Sequence, residues 1–155
     1  MNRSLYRREP AAVDVPAIGL RLRPLADHDD AALGRLMERA YAGTIDDDLG
    51  DNNDGAVEIA GWRGRRAVAD ASFVAVGEDG QPVSASLVTR GSSGSAWISY
   101  VITDPAYKGR GLGTAVVAAS LAALADTAVQ AGITDGNTPS EKLFATLGFV
   151  RTGPA

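Results

Sequence analysis

The sequence predicts a single α/β domain whose elements follow the order β-α-α-β-β-β-α-β-α-β. Its 155 residues suit one domain, and 45% hydrophobic with 22% charged residues is a globular composition, which excludes a disordered chain. Segments with the two-residue period of strands also alternate with segments of helical spacing. We expect a flexible N-terminal extension over residues 1–18 and one domain over residues 19–155.

The first half of the domain is predicted to hold one strand and two helices. Residues 20–24 alternate between leucine and arginine before a proline, as in a half-buried strand. Apolar residues over 33–41 recur at the spacing of one helical stripe, and Asp27 suits the N-cap of this helix. Residues 57–62 predict a second, short helix after an Asp-rich stretch.

The second half is predicted to hold five strands and two helices. Residues 73–77 and 83–89 alternate around a Gly-containing turn, which indicates a hairpin. A glycine-rich loop then precedes a segment that is apolar almost all round, which predicts a helix buried on two sides up to about Ala125. The last helix is expected to open at Pro139 and to run to Leu147. The remaining three strands are expected at 96–103, 128–134 and 149–152.

Charge and residue counts exclude several functional classes. Fifteen basic against 19 acidic residues give a net charge of −4, which argues against general binding to nucleic acid or to an anionic membrane. The absence of cysteine excludes a thiolate nucleophile and Cys-ligated zinc, and one histidine, His28, does not make a His-rich metal site, so no metal is expected. No apolar run has the roughly 18 residues that span a bilayer, which predicts a cytoplasmic protein.

The glycine-rich loop is the first candidate for a binding site. Residues 108–113 read KGRGLG between a predicted strand and a predicted helix, where backbone N–H groups and the helix dipole favour an anion such as phosphate. The Walker motif fails because Gly113 is not followed by Lys and Ser or Thr, and the dinucleotide motif fails because Thr114 stands where the third glycine belongs. A glycine-rich turn that serves packing alone is the structural alternative.

Two segments resemble one known family. Residues 101–113, VITDPAYKGRGLG, resemble the acyl-CoA-binding motif [RQ]-x-x-G-x-[GA] of the GNAT superfamily of N-acetyltransferases, and only Lys108 departs from it. Residues 137–149, NTPSEKLFATLGF, resemble the C-terminal motif N-x-x-[AS]-x-x-x-[YF]-x-x-x-G-F of the same superfamily. The resemblance spans about residues 20–152, and the N-terminal half matches loosely.

The resemblance implies a mixed, mostly antiparallel sheet flanked by helices, in which the fourth and fifth strands splay apart to admit acetyl-CoA. It also implies that backbone groups of the fourth strand orient the pantetheine arm and polarise the thioester. The chain ends where relatives usually add a closing strand. The cofactor-binding residues implied are Tyr100, Val101, Ile102, Lys108, Gly109, Arg110, Gly111, Leu112, Gly113, Asn137, Ser140 and Phe144.

The candidates for proton transfer are harder to assign. Phe144 occupies the position where many relatives use Tyr to protonate the departing thiolate, and Ser140, four residues earlier, is a substitute that equally suits a local hydrogen bond at the helix start. The candidates for the general base are acids before or within the second helix: Asp46, Asp47, Asp48 and Glu58. A solvated acidic loop is the alternative for the first three. Tyr41 and Trp62 suit an aromatic wall or core packing, and His28 suits the surface.

We therefore predict an acetyl-CoA-dependent N-acetyltransferase that transfers the acetyl group directly within a ternary complex, because no cysteine exists to form an acyl-enzyme. The acceptor would be a small-molecule amine or a protein N-terminus, and a homodimer remains open. The rival hypothesis is a CoA-binding sensor or partner module with little catalytic activity, and Phe144 is the residue that favours it.

Overall fold

The computed structural model describes residues 2–42 and 54–155. These form a mixed sheet of seven strands in the order β2-β3-β4-β5-β6-β1-β7, with four α-helices. Within the described residues, no helix has both the length and the apolar character to cross a membrane. The elements are β1 Arg3–Arg8, β2 Arg21–Pro24, α1 Asp30–Tyr41, α2 Gly55–Arg63, β3 Phe73–Val76, β4 Pro82–Arg90, β5 Ala96–Thr103, α3 Leu112–Ala123, β6 Val129–Thr134, α4 Thr138–Thr146 and β7 Val150–Pro154.

The central strands β5 and β6 splay apart, as predicted for the fourth and fifth strands of the domain. They form the one parallel pair among the described strands, and their pairing covers only residues 96–98 of β5 and 129–131 of β6. Beyond Ile98 and Ala131 both strands continue without pairing to each other. The backbone edges of residues 99–103 and 132–134 therefore face an open gap in the sheet.

The predicted flexible extension over residues 1–18 is wrong for its first part. Residues 3–8 form β1, which lies between β6 and β7 and pairs antiparallel with both. Its polar side chains are satisfied inside the fold: Ser4 Oγ donates to Asp135 Oδ1 at 2.6 Å, and Arg8 Nε donates to the Leu147 carbonyl at 2.7 Å. The domain therefore begins before residue 19, the predicted element order lacked its first strand, and β1 completes the sheet beside β6.

The two helical pairs cover opposite faces of the sheet. Helices α1 and α2 pack with Ala85 and Leu87 of β4, whereas α3 reaches the other face, where Ser120 Oγ donates to Ser86 Oγ at 2.9 Å. Helix α3 is buried along most of its length, as its all-round apolar sequence predicted. Gly34 and Gly55 let α1 and α2 approach so closely that a Cβ at residue 55 would collide with the Gly34 carbonyl.

A buried ion pair fixes the start of α1 against β2. Both oxygens of the Asp29 carboxylate accept from the Arg23 guanidinium, at 2.7 and 2.9 Å, and the Ala26 N–H donates to Asp29 at 2.8 Å. Burial by itself would raise the pKa of Asp29, but these hydrogen bonds and the Arg23 charge outweigh it and hold the pKa below its ordinary value. The ion pair thus lies at the start of α1, whose N-cap is Asp29. The predicted N-cap Asp27 is wrong, because Asp27 instead begins a 3-10 turn over Asp27–Asp29.

Candidate active site

A β-bulge marks the point where β5 leaves β6. Leu87 of β4 lies opposite Tyr100, and Val88 lies opposite Ile98, so Ser99 is an extra residue in the strand register. The bulge lets consecutive residues serve different faces: Tyr100 packs with the α1 and α2 side, and the next residue packs with the α3 and α4 side. The backbone of residues 99–101 therefore departs from regular strand geometry at the edge of the gap.

A cavity of about 1190 Å³ occupies the gap between β5 and β6. Its walls include residues 97–103 of β5 and 132–134 of β6. From one face of the sheet it is lined by Tyr41 and Glu58, and from the other by the first half of α4. Two ligands can therefore reach the same backbone edge from opposite faces.

Most of the sequence-predicted cofactor residues line this cavity. They are Tyr100, Val101, Ile102, Lys108, Gly113, Asn137, Ser140 and Phe144. Residues 109–111 lie in the exposed loop before α3, where Arg110 lies over the Tyr107 ring at 4.9 Å. The Leu112 side chain is 2% exposed and packs in the core with Val116, so only its backbone N–H is available to a ligand.

The first turn of α3 has backbone donors that no side chain of the described residues caps. Gly111 forms the N-cap of this helix with a left-handed φ of 74°. In contrast, Asp54 caps α2 and the Asn137 side chain caps α4 by accepting from the Ser140 N–H at 3.3 Å. Unsatisfied N–H groups at a helix start favour an anion. This end of the cavity therefore suits phosphate groups, with Lys108 beside it.

Three polar side chains meet on the α1 and α2 side of the cavity. The Tyr100 hydroxyl donates to Glu58 Oε2 at 2.7 Å and accepts from Arg65 Nη2 at 3.3 Å. Burial, with the hydrogen bond to Glu58 and its negative charge, raises the pKa of the Tyr100 phenol, which therefore stays protonated at neutral pH. Glu58 is thus the predicted base that the structure brings to the gap.

Phe144 both lines the cavity and belongs to the core. Its side chain is 4% exposed, and its ring meets Phe149 edge to face with centroids 4.9 Å apart. A phenyl ring cannot donate a proton, so this position supplies no acid. Ser140, half-buried on the same helix, also lines the cavity and carries a hydroxyl.

The remaining residues that the sequence analysis singled out lie in different parts of the structure. Trp62 is fully buried in the core, Tyr41 lines the cavity, and His28 is exposed, as its surface assignment predicted. Asp46, with Asp47 and Asp48, lies outside the described residues. Sequence reasoning assigned only the backbone of Tyr100, because the bulge that brings its side chain to Glu58 has no signature in residue type or spacing. It did not single out Arg65, whose contact with Tyr100 depends on how the end of α2 packs against β5.

Comparisons with known proteins agree with this architecture. A model of the Acetyltransferase (GNAT) family matches residues 36–149. A GCN5-related N-acetyltransferase from Sphaerobacter thermophilus superposes with a TM-score of 0.73 at 17% identity, over 99% of this chain and 49% of that chain. This chain therefore spans about half the length of that relative.

Two further structures are similar over more of their own length. Protein PH1933 from Pyrococcus horikoshii OT3 has a TM-score of 0.72 at 19% identity, covering 88% of this chain and 92% of that one. The ribosomal-protein-S18-alanine N-acetyltransferase from Escherichia coli has a TM-score of 0.67 at 18% identity, covering 85% and 78%. No curated protein matches the sequence closely enough to report. Because the family model covers most of the chain and the fold agrees, this protein belongs to the GNAT family of acetyltransferases.

Proposed function

We propose that the protein transfers an acetyl group from acetyl-CoA to an amine by direct attack within a ternary complex. One observation carries the proposal: a single cavity reaches the gap between β5 and β6 from both faces of the sheet. The acyl donor would enter from the α3 and α4 side and the amine from the side of Glu58. A cysteine acyl-enzyme is excluded, since the chain has no cysteine, and direct attack needs no such intermediate. The cytoplasm, where we expect the protein, supplies both substrates.

The residues present fit acetyl-CoA. The uncapped first turn of α3, with Lys108, would hold the pyrophosphate, and the unpaired edge of residues 99–103 would hydrogen-bond the pantetheine arm. Acetyl-CoA supplies the activated thioester. A backbone N–H at the bulge would stabilise the negative charge that develops on the carbonyl oxygen. Gly111 is suited to this loop, because its φ of 74° is strained for other residues.

Glu58 is the base that we assign. An ammonium acceptor gives one proton to the Glu58 carboxylate, directly or through water, and the neutral nitrogen then forms the C–N bond as the C–S bond breaks. The nitrogen loses a second proton as the amide forms. Of the two protons released, one ends on the CoA sulfur and one passes to solvent. Tyr100 holds the carboxylate in place throughout, because its hydroxyl donates to Oε2.

Residue 144, the position where many relatives have a tyrosine, offers no acid to protonate the departing thiolate. Loss of a tyrosine acid there costs about 2 kcal/mol, since a thiol of pKa about 8.5 must leave as thiolate near pH 7. We propose that Ser140 supplies the proton directly or through water, because it lines the cavity one helical turn before Phe144. The reaction is thereby slowed but not prevented.

A binding module with little catalysis is the second candidate. The observation that favours it is the burial of Phe144 against Phe149, which leaves this position without an acid. A turnover assay separates the two functions. Acetyl-CoA would be mixed with a panel of amines, and CoA thiol release would be followed with Glu58→Gln as the test and Glu78→Gln as the control, since Glu78 lies exposed in the β3–β4 turn.

Enzymatic function predicts amine-dependent thiol release that falls at least about tenfold in Glu58→Gln and is unchanged in Glu78→Gln. Tight binding of CoA by calorimetry, with no amine in the panel accelerating thiol release, would instead establish the binding module. Equal turnover in both variants would remove Glu58 from the mechanism.

A further inference from the structure

Resting on the proposed function, we propose that the acceptor is a free amino acid and that Arg65 binds its carboxylate while its amine faces Glu58. The proposal names the substrate class of the acceptor side of the cavity. It depends on the charges that lack an ion-pair partner in the part of the chain that the structure describes, and on the separation between them.

Within residues 2–42 and 54–155, Arg65 is a cation in the cavity wall without an ion-paired carboxylate. Four arginines have a carboxylate within ion-pair distance among the described residues, and Arg65 is not one of them. Its hydrogen bond goes to the neutral Tyr100 hydroxyl at 3.3 Å. Its side chain is exposed and lines the cavity. The planar fork of its guanidinium is therefore available to a carboxylate, which it can bind through two donors.

The local backbone favours this position of the guanidinium. The Arg65 N–H donates to the Trp62 carbonyl at 3.0 Å, which turns the chain back at the end of α2. The side chain then lies over Gly61, where an added Cβ would be 2.9 Å from Nη1. The absence of a side chain at Gly61 thus leaves room for the guanidinium beside α2.

The distance between the two charged groups fits a small zwitterion. Glu58 Oε2 and Arg65 Nη2 contact the same Tyr100 oxygen at 2.7 and 3.3 Å, so they lie no more than 6.0 Å apart. In an α-amino acid only two bonds, of about 1.5 Å each, separate the nitrogen from the carboxyl carbon. With hydrogen bonds of about 2.9 Å at each end, such a molecule reaches both groups.

The same charges discriminate against other amines. A polyamine would bring a second cation towards Arg65, which is repulsive, and a peptide N-terminus carries a neutral amide where the amino acid carries its carboxylate. The binding position is also separate from the phosphate end of the cavity. Tyr100 precedes Thr103, the last residue of β5, by three residues, which is about 10 Å of extended strand.

The test compares each proteinogenic amino acid with its carboxamide in the acetyl-CoA turnover assay. We expect KM to be lower for the acid than for the amide in the native protein. Arg65→Ala should raise KM for the acid by about tenfold to hundredfold, the range for a charge-assisted hydrogen bond, and should leave KM for the amide unchanged. The KM of Arg65→Lys for the acid should lie between the KM of the native protein and that of Arg65→Ala. Arg35→Ala, an exposed arginine of α1 outside the cavity, is the matched control.

The outcomes separate this inference from the proposed function. Amides or dipeptides acetylated as efficiently as the acids, or an equal effect of Arg65→Ala on both, would overturn the amino-acid assignment and leave the acetyltransferase standing. Absence of turnover with every amine would overturn the proposed function. In that case calorimetry of N-acetyl amino acids against N-acetyl amides, with CoA present, still decides whether Arg65 selects a carboxylate.

Discussion

Gly113 of α3 lies against Leu143 of α4 so closely that a Cβ at residue 113 would be 2.9 Å from the Leu143 Cδ1 atom. The same Cβ would lie 3.8 Å from Val101 of β5. The third glycine of the KGRGLG loop thus sets the spacing between two helices and the cavity wall. Its role in packing is added to the ligand-binding role that the sequence suggested.

The first prediction separates these two roles. Gly113→Val should destabilise the protein by about 1–3 kcal/mol, because the added methyls overpack the contact with Leu143. The double variant Gly113→Val with Leu143→Ala should recover part of this loss, measured by urea unfolding. Gly111→Ala meets no neighbouring atom but strains the left-handed φ of 74°, so it should cost about 1 kcal/mol of stability and should weaken CoA binding by distorting the loop. An additive double variant would contradict the packing role.

The second prediction concerns the Tyr100 hydroxyl. Tyr100→Phe removes the donor to Glu58 and the acceptor for Arg65, so kcat should fall about tenfold to hundredfold while KM for acetyl-CoA stays unchanged. The measurement is steady-state turnover with both substrates varied. Tyr6→Phe, a half-buried residue of β1 outside the cavity, is the control. A rise in KM for acetyl-CoA with constant kcat would show that Tyr100 serves only the donor.

The third prediction tests the missing acid. Phe144→Tyr places a hydroxyl in the cavity wall and should raise kcat by at most about tenfold to thirtyfold, which corresponds to roughly 2 kcal/mol. The affinity for CoA should be nearly unchanged. A thermal melt belongs beside the turnover assay, because a hydroxyl buried against Phe149 without a partner would lower stability and add no turnover. That result would exclude position 144 from the catalytic centre.

The fourth prediction follows from the lowered pKa of Asp29. A carboxyl whose folded pKa lies below its ordinary value of 3.8 contributes stability that is fully present above that value and is lost as pH falls through the folded pKa. The free energy of unfolding should therefore decline below about pH 4. Asp29→Asn should remove about 1–3 kcal/mol at pH 7 and flatten this decline. Asp30→Asn, at a more exposed pair with Arg63, should have a smaller effect.

The fifth prediction uses the adjacency of β1 and β7. The Ala155 N–H donates to the Arg3 carbonyl at 2.9 Å, so residues 3 and 155 lie side by side, as in a hairpin. A circular permutant cut between Glu9 and Pro10, which are both exposed, and closed through an Asn-Gly turn should keep its melting temperature to within about 5 °C. Deleting residues 2–9 should cause a large loss of stability. A permutant as unstable as the deletion would contradict the prediction.

The sequence predicted the elements whose periodicity is strong. The strand at 96–103 was predicted with its observed bounds, and the glycine-rich loop and helix α3 follow it as expected. Strand β1 was missed because Arg and Ser dominate residues 3–8, and their burial depends on distant partners such as Asp135. The contacts of Tyr100 were missed for a similar reason, since a bulge depends on strand pairing and not on local residue type.

Strand β1 has a consequence for biosynthesis. Arg3 bonds to Gly132, which is 129 positions later, so β1 leaves the ribosome long before its partner strand β6 and must wait for it. At ordinary elongation rates this wait is on the order of 10 s. During it, β1 is an unpaired strand that other nascent chains could capture. The three arginines in residues 3–8 keep that exposed segment charged and unsuited to such pairing, at the expense of a recognisable strand pattern.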